Sequence, residues 1–164
     1  MKTVTYERLR EVLSYDSETG YFRWLKSPVY FISVGQVAGT NTRRYRQIGV
    51  DGRRYGAHRL AFLFMTGEMP VLDVDHADGN GFNNKWDNLR ICTVSQNLAN
   101  TGRHADNSSG FKGVTWDRPR GKWQARIQVR KQKIHLGRFN SAEEAHAAYV
   151  AAAFEHFGEF HRAA

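Results

Sequence analysis

Cysteine is almost missing from this chain. Cys92 is the only one in 164 residues, which excludes an internal disulfide and any multi-cysteine zinc site. It lies in the apolar run LRICTV, where a buried structural thiol is expected rather than a nucleophile. No apolar run approaches membrane-spanning length and the N-terminus has no signal-peptide core. A soluble protein without a membrane partner, in the cytoplasm of its cell, is therefore expected. Acidic residues are in deficit: 16 Asp/Glu stand against 24 Lys/Arg, a formal charge of +8. That imbalance makes a polyanion the expected partner. A hydrophobic content of 41% and an aromatic content of 13% exclude wholesale disorder.

The deficit is uneven along the chain. Residues 1–60 carry 11 Lys/Arg against 5 Asp/Glu, residues 61–100 carry 2 against 5, and residues 101–164 carry 11 against 6. An acidic centre between two basic arms suits a metal site flanked by phosphate-binding surfaces.

In the first arm, TYERLREVLS (5–14) places Tyr6, Leu9, Val12 and Leu13 on one helical face, with Thr5 as N-cap. A turn cluster at Asp16–Gly20 leads to a short strand, YFRWL. YRQIGV, Asp51-Gly52 and RRYGAH predict a hairpin, because Asp-Gly accepts the positive φ of a two-residue turn. His58 to Met65 is apolar and predicted helical, ending near Gly67. Arg43, Arg44, Arg46, Arg53 and Arg54 crowd this hairpin region, and each guanidinium can pair with phosphate oxygens.

Residues 101–109 (TGRHADNSS) are polar and aperiodic, which predicts a linker between domains 1–100 and 110–164. Beyond it, Trp123, Ala125, Ile127 and Val129 alternate with Gln124, Arg126, Gln128 and Arg130, the pattern of a strand with one apolar face. Ile134 and Leu136 continue that face after a turn at Arg130–Gln132, with Lys133 and His135 opposite. FKGVTW supplies a preceding strand. Ser141 and Glu144 form a capping box that opens a helix to about Phe157. The helix covers the apolar face and leaves a Gln/Arg/Lys face open, with Trp116 near it, and such a sheet suits the DNA major groove.

Between the arms, Val74–Asn100 reads VDHADGNGFNNKWDNLRICTVSQNLAN. Asp75 offers hard anionic oxygen for a cation such as Mg2+. His76, when neutral, accepts a proton from water. Asn97 offers a neutral carbonyl ligand on a turn capped by Thr93. Adjacent strand residues point to opposite faces, so Asp75 and His76 converge only if the Ala-Asp-Gly-Asn-Gly tract breaks the strand. Asn88 is placed to hydrogen-bond that loop and orient the imidazole. Taken alone, the Asp-His pair reads as an exposed edge beside a plain hairpin turn at Asp78-Gly-Asn80-Gly, and the tract lacks the spacing of an EF-hand loop.

The run DHADGNGFNNKWDNLRICTVSQNLAN resembles the HNH homing-endonuclease motif, in the version where Asn replaces the last His. The segments LSYDSETGYFRW, VGQVAG and DGRRYGAHRLAFLF are similar to what precedes the motif in phage and prophage HNH proteins. Residues 110–158, with GFKGV, GKWQARI, HLGRF and SAEEAHAAYVAAAFEHFG, resemble an AP2 DNA-binding domain. These resemblances imply an α+β protein. Within residues 1–100, a basic helix/hairpin region (1–70) would precede a ββα-metal core (71–100), and a three-stranded antiparallel sheet on one helix would follow the linker. They imply that Asp75 and Asn97 hold one divalent metal, Mg2+ or Mn2+, with His76 as general base and Asn88 orienting it. They imply hydrolysis of double-stranded DNA with no small-molecule cofactor, by a monomer or homodimer, in the host cell of a phage or prophage. The AP2 contact positions correspond to Lys112, Thr115, Arg118, Arg120, Lys122, Arg126, Gln128, Lys133 and His135. Arg126 stands where that family has an acidic contact residue and His135 where it has Trp, so the plant target sequence does not transfer. A non-catalytic DNA-binding protein is the alternative expectation.

Overall fold

The computed structural model describes residues 3–102 and 107–162. It is a mixed fold of small sheets and, among the described residues, four α-helices. Two compact units divide the chain, Met1–Ile91 and Cys92–Ala164. The division precedes the expected 101–109 linker, whose residues 103–106 lie outside the described residues.

In the first unit, the Thr5 hydroxyl accepts the Arg8 N–H and starts α1 (Tyr6–Val12), which buries Leu9 and Val12. The chain passes directly into β1 (Leu13–Tyr15), paired antiparallel with β2 (Phe22–Trp24) around the Asp16–Gly20 turn. A second sheet orders β3 (Thr40–Asn41), β4 (Arg46–Val50) and β5 (Arg53–Gly56), all antiparallel. Asp51 and Gly52 make the expected β4–β5 turn, with φ of 48° and 77°. Then α2 (Ala57–Thr66) buries Ala57, Leu60, Ala61, Phe62 and Leu63 and stops at Gly67, which is left-handed.

These residues join Leu9, Leu13, Phe22, Ile48, Val74 and Leu89 in one core. Each fully buried Leu, Ile or Phe contributes about 1.5–3 kcal/mol, so this core is what seats the strand that follows. That strand, β6 (Asp73–His76), forms a two-stranded sheet with β7 (Leu89–Cys92). Residues 77–88 connect them and end in a 3-10 turn, Trp86–Asn88.

The second unit opens with α3 (Val94–Asn100). Thr93 and Gln96 cap it reciprocally. The strands β8 (Val114–Asp117), β9 (Lys122–Val129) and β10 (Gln132–Phe139) form an antiparallel sheet in the order β10-β9-β8. The β9–β10 turn is tighter than expected: Arg130 and Lys131 alone make it, both at positive φ, and Gln132 already belongs to β10. The Ser141–Glu144 capping box opens α4 (Ala142–Phe157) as expected. Ala145, Tyr149, Ala153 and Phe157 of α4 pack on Val114, Ala125 and Ile127. Alternation fails at Gln124, which is 4% exposed on the face assigned to solvent. Its register partner on β10, Arg138, reaches across β9 to Asp117 of β8 in an ion pair of 2.8 Å.

Candidate active site

Asp75 and His76 end β6, and both are buried, at 5% and 4% exposure. Consecutive strand residues face opposite ways, and these two find different partners. Asp75 Oδ2 accepts from Arg90 Nε at 3.0 Å and from Nη2 at 2.9 Å. Arg90 comes from β7, so the paired strands themselves assemble this buried ion pair. His76 turns to Asn84, with Nε2 3.2 Å from Asn84 Oδ1. Asn84 Nδ2 donates to the Phe82 carbonyl at 3.1 Å, which fixes the carboxamide with its oxygen toward the imidazole. Nε2 therefore carries the ring proton, and Nδ1 is the basic nitrogen.

The 77–88 loop is held by its own polar side chains. Asp78 Oδ1 accepts the Asn80 N–H, and Asp78 Oδ2 accepts from Asn83 Nδ2, each at 2.8 Å. Asn88 Nδ2 donates to Asp78 Oδ1 and to the Asn83 carbonyl, while its Oδ1 accepts the Asp78 N–H. Its backbone carbonyl accepts the Ala77 N–H. Burial alone would raise the Asp78 carboxyl, but donation from Asn83, Asn80 and Asn88 outweighs it and holds the group below its ordinary value. Asn88 thus braces the loop, and the direct partner of the imidazole is Asn84.

The N-terminal hairpin supports that arrangement from outside. Tyr15 Oη donates to the Asn84 carbonyl at 2.7 Å, and the Trp86 N–H donates to the Ser17 carbonyl at 3.0 Å. Gly20, at φ +73°, approaches so closely that a Cβ there would lie 2.4 Å from the Asn84 carbonyl carbon. Gly20→Ala is expected to destabilise the protein by more than about 2 kcal/mol, through left-handed strain and displacement of Asn84. Urea unfolding of the variant checks this, and a loss below half that figure would contradict it.

Two further rings enclose His76. Tyr45 stacks on it, with centroids 5.8 Å apart and planes at 22°. His58, from the first turn of α2, meets it edge-on at 5.2 Å and 70°. Gly56 makes room, since a Cβ there would come 2.6 Å from His58 Cε1. Burial lowers the His76 pKa against the opposing effects of Asn84, Asp78 and Asp75, so the imidazole is neutral at neutral pH. Burial, then repulsion from His76 when it is protonated and from Arg59, push His58 down to about 3.

His58 therefore stays neutral in the folded state, while the unfolded chain binds a proton below its ordinary value of 6.5. The unfolded state then holds more protons, so stability is lost as pH falls from 6.5 toward 3. The loss is about 1.4 kcal/mol per pH unit from this group. Denaturant midpoints of wild type and His58→Gln should diverge at pH 7 and converge toward pH 4.5; parallel curves would refute the assignment.

Residues 55–99, from β5 through α3, match the family model for the HNH endonuclease. The HNH stretch contains Asp75, His76, Asn84, Asn88 and Asn97. The chain is also similar to Protein 3.8 of Escherichia phage T7, at 37% identity over 54 residues. Those residues are 33% of this chain and 45% of that protein, so less than half of the relative's length is covered. No solved structure matches the chain. The matched family points to nuclease chemistry with a divalent metal.

Asn97 lies on α3, in the second unit. Among the described residues, no group of three His, Cys, Asp or Glu side chains is placed to hold a metal. The oxygens of Asp75 and Asn97 nevertheless fit in kind, because Mg2+ commonly takes only one or two protein ligands and completes its shell with water and substrate phosphate. Among the described residues, no helix is long and apolar enough to cross a membrane.

The basic residues sort by exposure. Arg43 and Arg44 lie exposed in the β3–β4 turn, and Arg53 and Arg54 lie exposed on β5. Arg46 stacks on the Tyr21 ring at 5.4 Å and donates to Asn41 Oδ1. In the second unit, the open sheet face carries Arg126 opposite His135 and Gln128 opposite Lys133, with Thr115 in the next row; all five are exposed. Arg118, Arg120 and Arg130 are exposed in turns, whereas Lys122 bonds Asn140. Trp116 pairs in register with Trp123 and meets it edge-on, with centroids 5.0 Å apart and planes at 63°, so it shares the apolar face rather than the open one. Lys112 Nζ donates to the Ala99 and Thr101 carbonyls at 2.5 and 2.6 Å, capping the end of α3; burial, then Arg162, lowers it to about 8.

Sequence reasoning passed over Asn84, Arg90, Tyr45 and His58. For Asn84 a signal existed: it stands beside Asn83 in a tract rich in Asn and Gly, where one carboxamide must close the loop. The others come from β7, the β3–β4 turn and α2, and only folding brings them to β6.

Proposed function

We propose that this chain is a metal-dependent DNA endonuclease in which His76 is the general base. The observation that carries the reading is a buried, neutral imidazole inside the HNH stretch, with its Nε2 proton held by Asn84 and its Nδ1 left as the basic atom. In the reaction Nδ1 takes a proton from the attacking water, and Asn84 keeps the ring oriented as charge develops on it. Asn88 and Asp78 hold the loop that carries Asn84. Asp75 and Asn97 would hold a divalent metal, with Arg90 on Oδ2 setting the rotamer of the Asp75 carboxylate. When bound, the metal supplies Lewis-acid stabilisation of negative charge on the scissile phosphate and the leaving oxygen.

The arginines of the β3–β4 turn and β5 would contact the DNA backbone. The open face of the β8–β10 sheet would lie in the major groove in the manner of an AP2 domain, with Arg126, Gln128, Lys133 and His135 reading it. Its strand order and single covering helix support that role. Supercoiled plasmid incubated with protein and Mg2+ or Mn2+ should be nicked or linearised, and EDTA should stop this. DNA that is bound but left intact across metals and salt would instead favour a non-catalytic DNA-binding protein.

A further inference from the structure

We propose that Tyr45 and His58 are positioning residues for the His76 base, and that Tyr45 links DNA contact at the Arg43–Arg46 turn to the seating of that base. The inference rests on the nuclease reading above and extends it to residues outside the motif. Asn84 fixes the tautomer of His76 from one edge of the ring but leaves its faces uncovered. Tyr45 covers one face at 22°, and His58 closes the side at 70°. Tyr45 and His58 also contact each other, with centroids 5.1 Å apart, so the three rings form a closed cluster. His58 Nδ1 is buried without a hydrogen-bond partner. Its place in the cluster is thus one of ring packing and shape rather than proton relay.

The link to DNA follows from the turn that carries Tyr45. Thr42 closes that turn: its N–H and hydroxyl both donate to the Tyr45 carbonyl, at 2.9 and 2.8 Å. Tyr45 therefore moves with its neighbours Arg44 and Arg46. On its other side the turn interlocks with the catalytic loop at Gly81. A Cβ on Gly81 would lie 2.1 Å from the Arg44 carbonyl oxygen and 2.6 Å from Tyr45 Cδ1. Only glycine permits this approach. Backbone phosphate held by Arg43 and Arg44 would thus steady the same turn that presses on the imidazole.

The test compares Tyr45→Ala, Tyr45→Phe, His58→Phe and Gly81→Ala with wild type, using single-turnover cleavage of a duplex, its Kd, and the 15N shifts of the His76 imidazole. Tyr45→Ala and Gly81→Ala should lower the saturated rate by about 100-fold, as expected for a reacting group displaced by about an ångström. Their DNA Kd should stay within a few-fold, while Tyr45→Phe and His58→Phe, which keep the ring, should retain most of the rate. The His76 nitrogens should shift or broaden in Tyr45→Ala at unchanged melting temperature. Weakened DNA binding with an unchanged saturated rate would overturn the proposal, as would Tyr45→Phe failing as badly as Tyr45→Ala. If wild type cleaves nothing with any divalent metal, the nuclease reading fails. The imidazole shifts then still decide whether Tyr45 positions His76, since they need neither metal nor turnover.

Discussion

His76→Ala is expected to lower the single-turnover cleavage rate by about 10²–10⁴-fold, with DNA affinity close to that of wild type. Three features set the size of the effect. Burial holds the imidazole neutral, so the proton-accepting form dominates at neutral pH. Asn84 places the ring proton on Nε2, which leaves the base on Nδ1. His58 cannot substitute, because its pKa of about 3 makes it too weak a base to be useful at pH 7. The exposed arginines that would hold DNA lie on the β3–β4 turn and β5, so binding should survive. Rates and affinities measured on one duplex decide the matter. A residual rate within tenfold of wild type would remove His76 from the role, and Asn84→Ala should show a smaller loss in the same direction.

Arg90→Ala is expected to destabilise the protein by about 3–5 kcal/mol, the usual consequence of removing one member of a buried pair. Asp75 is 6% exposed at its side chain and Arg90 18%, so little water is present to replace the guanidinium. The two donors, Nε and Nη2, converge on one oxygen, which Lys could not reproduce with the same planar geometry. Lys26–Glu11 makes the contrast: that pair is 60% and 46% exposed, and breaking it should be nearly silent. Denaturant unfolding at constant m-value measures both. Asp75→Asn combined with Arg90→Met should recover much of the loss, because no uncompensated charge remains. A cost below about 1 kcal/mol for Arg90→Ala would mean that the carboxylate is satisfied without it.

Local signals were legible in the sequence because their causes are local. Thr5, Thr93 and Ser141 cap helices through side chains that reach backbone three residues away. Asp51-Gly52 turns a hairpin because those two residues tolerate positive φ. The period-2 pattern from Trp123 to Val129 marks a strand wherever the strand ends up. Where that pattern failed, at Gln124, the register partner Arg138 is tied to Asp117 of another strand by a long-range ion pair. Spacing within one strand pattern carries no record of such a bridge.

The same boundary runs through the candidate site. The sequence by itself determined which groups stand in the motif, Asp75, His76, Asn88 and Asn97, and that an irregular Gly/Asn loop follows the first two. Tertiary structure alone decided that Asp75 meets Arg90, that Asn84 holds the imidazole, and that Tyr45 and His58 enclose it. Those partners lie from 8 to 31 residues away along the chain. Their meeting depends on how β7, α2 and the β3–β4 turn pack around one apolar core, and close packing is a property of the whole unit rather than of any segment.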